Sequence, residues 1–139
     1  MENYFAMQLT PAQVNAISNV GLAHIGDGVY ELLVRSYLCA QGKTTIKNLH
    51  KLSVELVKAP TQARLAEKIR PLLTEAEEDY FRRGKNAHTH AAPKSATPRE
   101  YAMATGLETL FGALYLLGQT QRLNALFHIM MDEENSNGL

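Results

Sequence analysis

Apolar residues recur along most of this chain at three- and four-residue spacing, the repeat that lays one stripe of a helix against a core. The spacing predicts a short helix near 11–17 and a long one over about 20–40, closed by Gly42. Further helices are expected near 45–57 and 60–70, the second opened by Pro60 and stopped by Pro71, and near 75–84, ending at Gly84. The last two run near 98–117, closed by Gly118, and 120–131. Three of the starts are marked by Thr-x-x-Gln/Glu strings, Thr10 to Gln13, Thr74 to Glu77 and Thr97 to Glu100, two with proline at the first helical position. In such a box the threonine hydroxyl and the third-position side chain satisfy backbone N–H groups that the first turn leaves without partners. No segment shows the strict alternation of a half-buried strand. The expected fold is all-α, a bundle of about seven helices in one domain with its core at about 11–128. The polar stretch 132–139 is expected to fray, and Lys85 to Ala96 is a long connection without apolar periodicity.

With 139 residues the chain is the size of one domain, and 45 % hydrophobic against 20 % charged content is that of a globular protein. No apolar run approaches the ~18 residues of a membrane span. The N-terminus lacks a signal-peptide pattern, and the single Cys39 cannot form an internal disulfide, so a reducing cytoplasm is the expected compartment. The 14 basic and 14 acidic residues cancel, but they are unevenly spread. Residues 43–70 carry seven bases against two acids, and residues 82–99 carry five bases and no acid. Four acids cluster at 75–79 and three at 132–134. Two basic segments can form a patch for a polyanion, or they can be solvated helix faces.

The chemistry lies in charges that interrupt apolar helices. From Ile17 to Val34 the only charges are Asp27 and Glu31, and from Tyr101 to Gly118 the only one is Glu108. The two longest and most apolar helices should form the centre of a bundle, where an ionised carboxylate without a partner is costly. A cation shared between the helices resolves the problem; a hydrogen bond to a backbone end, or a distant Lys or Arg, is the structural alternative. Gly26 and Gly28 bracket Asp27, and Gly106 and Gly112 flank Glu108. Each interior glycine costs a helix about 1 kcal/mol relative to alanine, which calls for a reason such as close approach of two backbones. Oxygen-only ligands favour a hard cation, Mg²⁺ or in its place Mn²⁺. Glu31, one turn after Asp27, can support that site or pair with Arg35; the spacing favours the pair. His24, one turn before Asp27, can touch the site, although a histidine on an apolar face is more often a core residue.

At these residues the chain resembles a known family. The strings Leu22-Ala23-His24-Ile25-Gly26-Asp27-Gly28-Val29-Tyr30-Glu31 and Ala104-Thr105-Gly106-Leu107-Glu108-Thr109-Leu110-Phe111-Gly112 are similar to the two active-site helices of ribonuclease III. Arg83-Gly84-Lys85-Asn86-Ala87 and Pro93-Lys94 resemble the loop of its mini-ribonuclease III branch, which consists of the nuclease domain without a double-stranded-RNA-binding domain. The similarity covers roughly residues 11–128. It implies the helical endonuclease-domain fold and a homodimeric, Mg²⁺-dependent endoribonuclease that cuts double-stranded RNA. It further implies maturation of the large-subunit (23S) ribosomal RNA precursor, with a ribosomal protein as a candidate presenter of the substrate. Asp27 and Glu108 match the family's catalytic, metal-binding carboxylates. Ala23 and Thr105 stand where full-length ribonuclease III has two more acids, which leaves the number of metals open and places Thr105 beside the site. His24 and Gly28 replace an expected aromatic residue and an expected alanine.

Duplex RNA is read through phosphates and 2′-hydroxyls, so Lys, Arg and small polar side chains are the expected tools. Arg83, Lys85, Asn86 and Lys94 are assigned this role, with Lys58 and Arg64 as secondary candidates. His88 and His90 in the same loop add charge below about pH 6.5. Two alternatives follow from the residues. One is a non-catalytic RNA-binding or ribosome-associated protein that keeps the nuclease fold, suggested by Ala23 and Thr105. The other is a helical oligomerisation module with buried ion pairs. Retention of both Asp27 and Glu108 in apolar helices speaks against the first; the second predicts that Asp27→Asn stabilises the fold or leaves it unchanged, with no loss of activity.

Overall fold

The computed structural model of the protein describes residues 1–87 and 94–136, with 133–136 as helix backbone only. Seven α-helices follow one another among the described residues: α1 (Pro11–Asn15), α2 (Asn19–Ala40), α3 (Ile46–Val57), α4 (Ala59–Ile69), α5 (Glu75–Lys85), α6 (Pro98–Leu116) and α7 (Thr120–Ser136). A single 3₁₀ turn, Arg70–Leu72, links α4 to α5. The all-α expectation holds, and the boundaries fall within a few residues of those predicted, for local reasons. All three capping boxes form with both reciprocal bonds, and Ser18 and Thr45 cap α2 and α3 with their hydroxyls. Gly42 and Gly118, with φ of +89° and +79°, turn the chain after α2 and α6 in the left-handed conformation that glycine adopts without strain. The helix expected to end near 131 continues to Ser136, with His128 and Asp132 paired one turn apart at 3.4 Å. The expected frayed stretch is therefore helical at its start, and 137–139 lie outside the described residues.

α6 is the central helix. Eleven of its residues are buried, from Met103 to Leu116, and it packs against α2, α5 and α4. The α2–α6 pair is the most extensive in the molecule. Its closeness rests on two glycines. A Cβ on Gly26 would lie 1.6 Å from the carbonyl oxygen of Glu108, and one on Gly112 would lie 2.1 Å from the carbonyl oxygen of Leu22. No side chain fits at either place, so the two backbones touch where the sequence places Asp27 and Glu108. Gly84 and Gly106 bring α5 against the opposite side of α6 in the same way.

Aromatic rings close the bundle around this crossing. Tyr30 of α2 is buried, lies 5.9 Å from Phe111 and 6.1 Å from Phe127 between ring centroids, and donates its hydroxyl to the carbonyl of Leu56 at 2.7 Å. α7 is fastened to α5 by Arg122, whose guanidinium donates to both carboxylate oxygens of buried Glu77 and to the Leu72 carbonyl. Among the described residues α6 is the helix with the most buried positions. α2 was expected to share the centre but lies on the flank, with Asp27, His24, Gly28 and Leu32 facing outward. One helix surrounded by the others uses up the interior of so small a bundle. No described helix is long and apolar enough to cross a membrane.

Candidate metal and RNA site

The site forms where α2 and α6 cross. Gly26 lets the α2 backbone rest on the carbonyl of Glu108, and the next residue, Asp27, is thereby set beside the Glu108 side chain. The charge of Asp27 reaches the Glu108 carboxyl. Glu108 emerges half-buried from the central helix, and Asp27 is exposed at its mouth. That corrects the expectation of two carboxylates in the apolar centre: one acid is half-buried and the other exposed, on the α2 side.

Electrostatics mark the pair as incomplete. Burial, then the charge of Asp27 and the hydrogen bond with it, push Glu108 up to about 8, and Glu31 adds a smaller push. Gln62 of α4 acts in the other direction, through its approach to the Glu108 carboxylate. A carboxyl beside another negative charge resists ionisation unless a positive charge compensates it. No group of three or more His, Cys, Asp or Glu side chains converges anywhere among the described residues, so an all-protein metal cage is absent there. A two-carboxylate site suits Mg²⁺, which keeps several waters and binds through one or two carboxylates plus substrate phosphates. Asp27 and Glu108 fit such an ion by type, by proximity and by their unbalanced charge.

The flanking residues are placed plainly. Glu31 pairs with Arg35 at 3.3 Å, the arrangement its spacing favours, while its charge still reaches Glu108. His24 is exposed, which corrects its reading as a core histidine. Thr105 spends its hydroxyl on the Tyr101 carbonyl, 3.0 Å away one turn back, and its own carbonyl accepts from Thr109 at 2.8 Å.

The basic candidates separate into two kinds. Arg83 is held within the fold: it donates to Asn19 and Asn15 at 3.1 and 3.4 Å, stands 5.3 Å above the Tyr80 ring and lies 4.0 Å from Asp79. Lys58 pairs with Glu55 at 2.8 Å, and Arg64 is exposed on α4. Lys85 and Asn86 end α5, with Asn86 as its C-cap, and Lys94 is exposed where the described chain resumes. They flank the segment that contains His88, Thr89, His90 and Pro93, which lies outside the described residues. The acidic run at 75–79 does not stand apart from the bases as the linear map suggests. Glu77, Glu78 and Asp79 pair with Arg122, Arg70 and Arg82, and Arg99 pairs with Glu67.

Gln62 is the residue that the sequence reading missed. Its side chain is buried, and its Nε2 has no hydrogen bond of ordinary geometry among the described residues. A signal existed: positions 62, 65, 66 and 69 form the inward stripe of α4, and Gln62 is the polar residue on it. A search for misplaced charge finds Asp27 and Glu108 and passes over a neutral amide.

Comparison with known proteins agrees with this geometry. The family model described as Ribonuclease III domain matches residues 20–119, which include both glycine-crossed helices and both carboxylates. A protein named Mini-ribonuclease 3 from Symbiobacterium thermophilum is 45 % identical over 111 residues, covering 80 % of this chain and 85 % of that one. Another of the same name from Clostridium tetani is 36 % identical over 140 residues, covering 98 % and 93 %. A crystal structure of a protein from Fusobacterium nucleatum superposes with a TM-score of 0.78 at 33 % identity, covering 88 % of this chain and 98 % of that one.

Proposed function

Because the chain belongs to the ribonuclease III family and is an endoribonuclease of that type, we propose that it hydrolyses double-stranded RNA as a homodimer, with Asp27 and Glu108 holding Mg²⁺. The observation that carries the site is a backbone-to-backbone helix crossing that sets Asp27 within electrostatic reach of Glu108, with no base among the described residues acting on Glu108. When bound, the cation supplies positive charge at the scissile phosphate and acidifies the attacking water. The protein's own part is positional. Gly26 and Gly112 fix the separation of the helices, the rigid α6 fixes Glu108, and the exposed Asp27 leaves one side open to a phosphate.

RNA is held by residues outside the carboxylate pair. Lys85, Asn86 and Lys94, at the two ends of the α5–α6 connection, contact the duplex backbone, and Lys58 and Arg64 extend the contact along α4. Arg83 orients α5 against the α1–α2 corner, and a direct phosphate contact would compete with the partners it already has. The natural substrate is the large-subunit (23S) ribosomal RNA precursor in the cytoplasm, with a ribosomal protein presenting it. The two sites of a dimer, one per strand, account for duplex cleavage by a small domain.

The test is cleavage of a perfect RNA duplex and of its separate strands, with Mg²⁺ and with EDTA. Metal-dependent cutting of both strands of the duplex alone is the expected result. Duplex binding without any cut would favour the RNA-binding alternative, and metal-independent cutting would remove the carboxylate site from the mechanism.

A further inference from the structure

Gln62 is a polar side chain in a place where polarity is costly. It sits on the inward stripe of α4, 3 % exposed, between buried Thr61 and Ala63. Its Nε2 is shielded from water and has no hydrogen-bond partner of ordinary geometry among the described residues. An unsatisfied buried donor destabilises a fold, and an apolar side chain of the same length would avoid that cost. Its amide acts on the carboxyl of Glu108, carried by α6, the helix against which α4 packs.

We propose that Gln62 is a positioning residue for the metal-binding form of Glu108: its Nε2–H donates to one carboxylate oxygen and leaves the other turned toward the cation shared with Asp27. The chemistry selects an amide over the alternatives. A lysine or arginine at this position would neutralise Glu108 and compete with the metal for it. A methionine or leucine would leave the inner oxygen unbonded and the carboxylate free to rotate. A neutral donor satisfies one oxygen and adds no charge, as partners of metal-ligating carboxylates commonly do. The placement also joins α4 to the site. Three helices then define Glu108, with α6 carrying it, α2 facing it with Asp27 and α4 holding it from behind.

This inference rests on the reading of Asp27 and Glu108 as metal ligands, and the experiment separates the two. Mn²⁺ binding without RNA is titrated by electron paramagnetic resonance on the full chain for wild type, Asp27→Asn, Glu108→Gln, Gln62→Met and Gln62→Leu, with metal-free thermal melts alongside. Loss of binding in Asp27→Asn and Glu108→Gln is expected; wild-type binding in either would overturn the metal site itself. In Gln62→Met the expected result is about 10–100-fold weaker Mn²⁺ binding with an unchanged or higher metal-free melting temperature, because an unpaired donor has been removed. That pairing of opposite effects is one a purely structural role would not produce. Unchanged Mn²⁺ affinity in both Gln62 variants would overturn the proposal with the metal site still standing. So would a loss of affinity that only follows a lowered melting temperature.

Discussion

At the scale of single residues, the glycines of α2 separate into two classes that the sequence does not distinguish. Gly26 has no room for a Cβ, whereas a Cβ on Gly28 would meet nothing within 4 Å. Gly28→Ala is therefore expected to stabilise the protomer by about 1 kcal/mol through helix propensity, read as a higher urea midpoint. Gly26→Ala is expected to cost more than about 3 kcal/mol, or to prevent folding, because the obstruction is backbone and cannot move aside. Glu108 gives the metal-free protein a pH dependence of its own. Its folded-state value of about 8 lies above the unfolded 4.5, so the folded state holds the proton more tightly across that window. Stability contributed by the protonated acid is full below about 4.5 and declines as pH rises toward 8. Metal-free protein is expected to melt at a higher temperature at pH 6 than at pH 9, with a smaller difference in Glu108→Gln. An equal difference in both proteins would assign the dependence to other groups.

Among the elements, helix starts were the most legible part of the chain, because a capping box is a local agreement between two side chains and two N–H groups. Thr74 and Glu77 show the box performing a second task. Burial raises the Glu77 acid, but hydrogen bonds from Arg122 and from the Thr74 backbone outweigh it and hold the group below its ordinary value. The α5 cap thus doubles as the anchor for α7. Arg122→Ala is expected to cost about 2–3 kcal/mol in chemical denaturation at pH 7, since it leaves a buried carboxylate without its partner. With the folded value depressed, that stabilisation is present above 4.5 and fades as pH falls through the folded value. The difference between Arg122→Ala and wild type should accordingly narrow in acid. The link from Arg122 to Glu77 spans 45 residues and no local pattern announces it. The same limit explains the misplacement of α2 within the bundle. Its apolar run, Val20 to Leu38, has residues on every face, and periodicity cannot say which face the other helices will cover. Gln62 was missed for a related reason: its significance comes from Glu108, on a helix more than 40 positions away in the chain.

For the whole molecule, the outward face of α2 is left uncovered by the other described residues. Leu32, Val20, Tyr4 and Phe5 are exposed, and Tyr4, Phe5, Ile25, Gly28, Val29, Leu32 and Tyr115 line one shallow apolar groove. Apolar patches of this kind on a small protein mark interaction surfaces. For a dimeric nuclease this is the face expected between copies, and Leu32→Glu should convert the dimer to a monomer in sedimentation at micromolar concentration while leaving the helical circular dichroism intact. An unchanged dimer would place the interface elsewhere. RNA affinity is a whole-molecule property as well. With a net charge of zero, binding depends on a few local cations and should weaken steeply with salt. Lys85→Ala and Lys94→Ala should each reduce the slope of log affinity against log salt by about one.

The central claim is that one carboxylate from α2 and one from α6 act together as the metal site of a ribonuclease. Its most direct test is the rate of duplex RNA cleavage at saturating Mg²⁺ by wild type and by folded Asp27→Asn and Glu108→Gln proteins. Each substitution removes a charge with little change of shape, and each is expected to lower the rate by about 10³-fold or more, a loss of roughly 4 kcal/mol of transition-state stabilisation. The double variant should be little worse than either single one, because the two residues act as a unit. Wild-type cleavage by either single variant would contradict the account.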